Sequence, residues 1–384
     1  MNCRRRPPRR GRVGPLPPAR ITFAAPPALK LALDRRVQAF IDNRRVIDSP
    51  LMYAKAALLI GTAVWSYTVL VFQAQTTLTM LWSSTLLALA LVGIGFNVQH
   101  DGNHGSFSRL PWVNRLAGFT LDLIGASSYF WKDKHNHNHH VFTNIPGEDA
   151  DINLGPMARL SADHTWYWWH SYQHIYLWIL YTAVHLRYLY SDLQRLALGK
   201  NDGLTAGYPK GADMAWLLGG KVFFLTVAFV VPLTRHSVGH VLGAYVLVSM
   251  VMGLIFSVVF QLAHSVDVVE HPVATDLSQY PEWVVHQIAT TANFATNSRV
   301  AGFCLGGLNY QREHHLFPRI SHVHYPALSK VVREVCAEHG VPCRENVTLL
   351  DALRSHYRFV RDMGVKPEPR PSDATATTSQ PALV

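Results

Sequence analysis

Charge is what this chain has least of. Asp, Glu, Lys and Arg make up 16% of its 384 residues, against roughly 25% in soluble proteins, so two ordinary soluble domains are not the expectation and a membrane is. Cysteine is also scarce: Cys3, Cys304, Cys336 and Cys343 show no Cys-x-x-Cys spacing, which argues against a zinc ribbon or a disulfide scaffold. The chain has no His-Glu-x-x-His and lacks the paired Glu-x-x-His of soluble di-iron bundles. It has no His-Pro-Gly-Gly haem signature, since His271-Pro272-Val273 does not supply one. Any electron carrier is therefore expected to be a separate protein. No apolar stretch with a small-residue cleavage site closely follows the start, which rules against a secretory signal peptide.

What is present is apolar and unevenly spread. From Ala56 to Gln99 there is no charged residue, enough for two helices of roughly 20 residues across ~30 Å of hydrocarbon, with Gln73, Gln75, Thr76 and Thr77 as the turn. The expected spans are about 56–75, 78–98, 214–234 and 238–263, the second pair turning at Thr234–Ser237. Residues 164–186 are also uncharged. If they crossed, the basic loop with Arg187, Arg195, Lys200 and Lys210 would lie outside, against the positive-inside rule. Crowded with Trp166, Trp168, Trp169, Tyr172, Tyr176, Trp178 and Tyr181, this segment is read as an interfacial helix, with the amphipathic stretch Pro111–Trp131 beside it. Lys221, inside the third span, is expected to snorkel. The fold class is thus an all-α integral membrane protein: four transmembrane helices in two hairpins, with interfacial helices and a cytoplasmic helical cap. The net charge of +10 comes largely from Arg4–Arg20. Interleaved with prolines, residues 1–40 read as a disordered basic arm retained in the cytoplasm, not a nucleic-acid arm. The membrane domain is placed at 41–360 and a disordered tail at 361–384.

Histidine carries the chemistry. Two histidines four apart on a helix project to one face and can grip one metal ion. His100 and His104 have that spacing where the second span should emerge, and His135 and His139 repeat it while His140 is turned by about 100°. Gln311 lies three and four residues before His314 and His315, and His264 ends the fourth span. These eight histidines and one glutamine suffice for two metals with open positions. The pairs His236/His240 and His170/His174 act as controls: the first falls in the outer loop and the second in the aromatic segment, so both are set aside, as is His137, off the shared face. His286, His322 and His324 are read as supporting or surface groups. Imidazole suits Zn, Cu, Fe and Ni alike, so the ligand set by itself does not choose the metal.

Three segments narrow the choice. His100-Asp-Gly-Asn-His104, Trp131–Asn144 and Gly306–Pro318 resemble, in order and spacing, the three histidine boxes of the membrane fatty acid desaturase family, especially bacterial members similar to linoleoyl-CoA and front-end desaturases. The resemblance covers about residues 40–360. It implies two iron ions in a non-haem di-iron centre, O2 as oxidant, and electrons from NAD(P)H through a reductase and a ferredoxin-like or cytochrome b5-like carrier. The implied substrate is a long acyl chain on CoA or phospholipid, in the cell (inner) membrane with both termini and the metal site cytoplasmic. Lys132, Lys134, Arg187 and Arg312 are candidates for its polar head or for an acidic donor. Gln311 stands where many members have histidine, which leans toward a front-end, delta-6-like enzyme. A fatty acyl hydroxylase or ketolase of the same superfamily, a zinc-dependent membrane hydrolase and a metal transporter are the alternative readings. A transporter would place polar groups inside the spans, and the first two spans hold no ionisable residue from Ala56 to Gln99.

Overall fold

The computed structural model describes residues 28–42, 46–198, 200–201, 204–205, 207–273 and 282–368. Helices dominate. Among the described residues the only strands are two-residue ladders, antiparallel between Lys200–Asn201 and Leu204–Thr205 and parallel between Asn293–Phe294 and Glu345–Asn346. Four helices are long and apolar enough to cross a membrane: Pro50–Gln73, Thr77–His104, Ala212–Leu233 and Val238–His264. The chain is an all-α integral membrane protein.

Local chemistry sets where the spans begin and end. Pro50 sits in the first turn of the first span, where its missing N–H costs nothing. Thr76 and Ser237 cap the second and fourth spans by accepting from the backbone N–H of Thr79 and His240. The second span stops at Gly105, which takes φ 74°, the left-handed conformation that favours glycine. The first span starts six residues earlier than the charge-free run suggested, because Lys55 is buried within it, its Nζ 3.3 Å from His322 Nε2 and 4.2 Å over the Phe303 ring. Three spans contain a π-helical stretch: Val69–Gln73, Gly95–Gln99 and Thr226–Val230.

The aromatic segment supplies none of these four helices. It breaks into a 3₁₀ turn, Trp168–Tyr172, and the helices Gln173–Thr182 and Val184–Leu198, about 15 and 22 Å long at ~1.5 Å per residue. These pack on the fourth span, where a Cβ on Gly253 would come within 2.7 Å of the Tyr181 and Thr182 carbonyl oxygens. The stretch beginning at Pro111 is likewise two helices, Pro111–Leu123 and Ser128–Lys132.

Three expectations are corrected. The arm placed at 1–40 is helical over Ala28–Ile41, because Leu29, Leu33, Val37 and Phe40 form an apolar stripe that packs with Leu328, Val332 and Val335 of the helix Tyr325–Glu338; residues 1–27 lie outside the described residues. The tail placed at 361–384 begins inside the helix Leu349–Met363, with 369–384 outside the described residues. Lys221 does not snorkel: it is buried, donating 2.7 Å to the Gly125 carbonyl and pairing with Asp192 on the Val184–Leu198 helix.

Candidate metal centre

All nine sequence-selected residues converge at one end of the spans. The second span carries His100 and His104 on its last turn, and His264 is the last residue of the fourth. His135 and His139 lie on a π-helix, Asp133–His139, with His140 just after it. The wider π turn brings residues five apart together, and His135 Nε2 is 3.1 Å from His140 Nε2. The α-helical expectation, in which His140 pointed elsewhere, gives way to that geometry. The helix Gln311–Leu316 supplies the rest. It is seated by Gly306, whose φ of 60° and position 2.3 Å (as Cβ) from the Phe96 carbonyl oxygen leave no space for a side chain. Glu313 accepts from Asn293 Nδ2 at 2.7 Å, tying this helix to the short parallel ladder.

The rings form two groups. In one, His100, His104, His135 and His314 present nitrogens within 4.8 Å of one another; in the other, His139, His264 and His315 do the same. Gln311 Nε2 joins the second group, 3.0 Å from His264 Nε2 and 3.3 Å from His315 Nε2. His140 lies between them, its ring 4.8 Å from His104, 4.6 Å from His314 and stacked at 4.2 Å on His315. His135, His139 and Asp151 make a third, overlapping cluster.

The donor set fits bound cations. Nε2 of His100, His104 and His314 and Nδ1 of His140 are shut away from solvent with no hydrogen-bond partner among the described residues. Each such nitrogen costs ~1–3 kcal/mol, a cost that coordination by a metal removes. Burial, reinforced by neighbouring imidazoles, holds His135, His140, His314 and His315 well below the ordinary histidine range, so their lone pairs are free to bind. His139 goes the other way: burial opposes its charge, but the Asp149 and Asp151 carboxylates together outweigh burial and raise it.

Sequence reasoning missed the groups that orient these rings. Asp149 Oδ2 lies 3.0 Å from His139 Nδ1, Gln287 Oε1 2.7 Å from His315 Nδ1, and the Tyr325 hydroxyl 3.3 Å from His314 Nδ1. Such partners fix ring orientation and tautomer. Asp149 had the one available signal, an acid ten residues beyond a candidate ligand.

The look-alike histidines stay apart. The His137 side chain is 75% exposed. His170 Nε2 is 3.0 Å from the Pro156 carbonyl, and His174 faces Tyr357. His236 Nε2 is 2.9 Å from the Val71 carbonyl and His240 bonds Ser237, at the far end of the spans. His322 meets Asp101 at 2.8 Å, His324 edges Phe40, and His286 is buried beside Gln287. Of the candidate head-group cations, Arg312 is fully buried against Glu313 and is corrected from surface to core; Lys134 is paired with Asp151 at 2.7 Å.

A cavity of about 200 Å³ reaches the centre at His135 and is lined by the aromatic Trp131, Tyr188, Phe256 and Phe260 and by the charged Lys134, Asp151, Arg187, Asp192 and Arg195. A larger apolar cavity of about 440 Å³ between the spans touches none of the nine residues.

A family profile described as "Fatty acid desaturase" matches residues 76–347, a stretch that holds every residue of the centre. The sn-1 linoleoyl-lipid 6-desaturase of Arthrospira platensis is 36% identical over 358 residues, covering 91% of this chain and 96% of that protein. The protein of the same name from Synechocystis sp. is 34% identical, covering 90% and 98%. An acyl-lipid (8-3)-desaturase of Physcomitrium patens is 32% identical, covering 87% and 71%.

Proposed function

Because this chain belongs to the fatty acid desaturase family and is an acyl desaturase, we propose that it is a front-end enzyme that uses O2 and two non-haem iron ions to place a cis double bond in a lipid-bound acyl chain. The observation that carries the reading is the pair of imidazole groups separated by His140. His100, His104, His135 and His314 would hold one iron; His139, His264, His315 and the Gln311 amide would hold the other. When bound, the irons, with O2 and two electrons, supply the oxidant that removes two hydrogens from a methylene pair. The electrons come from NAD(P)H through a separate reductase and a ferredoxin-like or cytochrome b5-like carrier.

The chain's own residues do the positioning. Trp131 stacks on His135 at 4.1 Å, and Phe260 lies 6.4 Å from the same ring, so an acyl chain in the 200 Å³ cavity meets aromatic rings where it passes His135. Asp149, Gln287 and Tyr325 hold the rings of His139, His315 and His314 in place. The curated relatives' names point to linoleoyl-lipid and carbon 6, and Gln311 agrees with a front-end site. The positive-inside rule places the arginine-rich start and the metal centre on the cytoplasmic side of the cell membrane.

The test is expression with a compatible reductase and carrier in a host supplied with linoleate, followed by fatty acid analysis of separated lipid classes and of acyl-CoA. A new double bond at carbon 6 in glycerolipid is expected. An unchanged profile across many acyl substrates overturns desaturation, a product heavier by one oxygen identifies a hydroxylase, and zinc in place of iron in the purified protein identifies a hydrolase.

A further inference from the structure

The helix Tyr325–Glu338 ends in a Schellman turn: the Val341 N–H donates to the Cys336 carbonyl at 2.9 Å and the Gly340 N–H to the Ala337 carbonyl at 3.2 Å, with Gly340 at φ 69°. This turn, followed by Pro342, doubles the chain back and lays Cys343 against Cys336. Both thiols are free, and Cys343 packs on the apolar cluster that buries Cys336. The two side chains are in hydrogen-bonding contact.

We propose that Cys336 and Cys343 are an oxidisable dithiol that closes to a disulfide on reaction with hydrogen peroxide. The two sulfurs are not equivalent. Cys343 is half-buried and Cys336 fully buried. The hydrogen bond from Cys336 favours the Cys343 thiolate, burial opposes it and the Arg312 guanidinium adds support; the same hydrogen bond and burial push Cys336 up. Cys343 is therefore the attacking thiolate and Cys336 the resolving thiol. In the first step the Cys343 sulfur bonds one peroxide oxygen, the O–O bond breaks, and the departing hydroxide takes a proton to become water. In the second, Cys336 loses its proton, its sulfur bonds Cys343 Sγ, the S–O bond breaks and a second water leaves. Two thiols are oxidised and one peroxide is reduced to two waters. The bond would form next to Arg344, whose carbonyl accepts from Arg312 Nη1 at 3.4 Å, two residues before His314 in sequence.

Trypsin cutting after Arg333 and Arg344 releases both cysteines in one peptide, Glu334–Arg344. Membrane vesicles containing the full-length protein are treated with graded hydrogen peroxide, denatured in N-ethylmaleimide and digested without reduction. The expected result is a Glu334–Arg344 peptide lighter by two hydrogens and free of maleimide, at doses where exposed Cys304 still takes the label, with recovery after dithiothreitol. In Cys336→Ser, Cys343 is expected to accumulate as a dimedone-trapped sulfenic acid. Two maleimide labels on Glu334–Arg344 at doses that oxidise Cys304 overturn the proposal. So does Cys343 passing to sulfinic acid while Cys336 remains alkylated.

Discussion

Replacing Asp149 with Asn tests whether the group behind a candidate ligand is functional or merely packed. The Asp149 carboxylate is buried and takes three donors: His139 Nδ1 at 3.0 Å and the Asn144 N–H at 2.8 Å on Oδ2, and the Asp151 N–H at 2.9 Å on Oδ1. An amide of the same shape keeps only one acceptor oxygen, so its NH2 must face a buried backbone N–H on one side or the other. A buried donor left without a partner costs ~1–3 kcal/mol. Separately, the ring of His139 loses its anionic partner, and removal of such a partner lowers metal affinity by about 10–100-fold, or ~1.4–2.7 kcal/mol. The assay is iron retained by the purified, lipid-reconstituted protein against a graded chelator, with desaturation and thermal unfolding measured on the same preparation. The expected Asp149→Asn protein loses iron at about 10–100-fold lower chelator strength. A lower unfolding temperature with unchanged iron retention would refute the reasoning, since it would mean that Asp149 only braces the loop.

His140→Ala should abolish activity and release iron, because its ring touches members of both groups; His137→Ala, with its side chain in solvent, should leave product yield and iron content within about twofold, surface substitutions costing within ~0.5 kcal/mol. Lys221→Met leaves the buried Asp192 carboxylate without its lysine partner and should destabilise the protein by ~3–5 kcal/mol, whereas Lys221→Met with Asp192→Leu should recover most of that loss, as read by thermal unfolding in nanodiscs. Acid should also destabilise it: burial holds His271 and His356 down to about 4, while the unfolded imidazoles titrate near ~6.5. Between those values the unfolded chain binds protons that the folded chain refuses. Stability is therefore complete above pH ~6.5 and declines as pH falls toward 4, by about 3 kcal/mol for each imidazole. His356→Gln, able to keep the contacts with Tyr181 and Ser265, should flatten the decline; an unchanged slope would count against this account.

Features written locally in the chain were legible. An uncharged run long enough for two spans, and the recurrence of His at four-residue spacing, depend on neighbours within one helix, and they led to four spans and nine convergent residues. What depended on distant partners was not legible. Lys55 looked like the limit of a span because His322 and Phe303, which accommodate it, lie more than 240 residues away. Lys221 looked like a snorkelling cation because nothing in its own span reveals Asp192. Arg312 looked like a surface cation although Glu313, its neighbour, shares its burial. The orienting groups Asp149, Gln287 and Tyr325 belong to no spacing rule. The helix Ala28–Ile41 was hidden for another reason: the proline and arginine that precede it colour the whole segment, while its apolar stripe has meaning only against the helix Tyr325–Glu338.

The π-helical stretches make chain length itself a constrained property. A π turn holds one residue more than the α-helix around it would use. Rewinding Gly95–Gln99 to α-helix with all its residues kept would swing all that follows by about 100°, carrying His100 and His104 off the face they share with His314, whereas rewinding with one residue deleted would keep their phase. The same holds for Asp133–His139, where the contact between His135 and His140 exists only at the wider pitch. Insertions and deletions are therefore tolerable in turns such as Ala74–Thr76, whereas in these two stretches residue number and helical pitch are tied, and neither can change without the other.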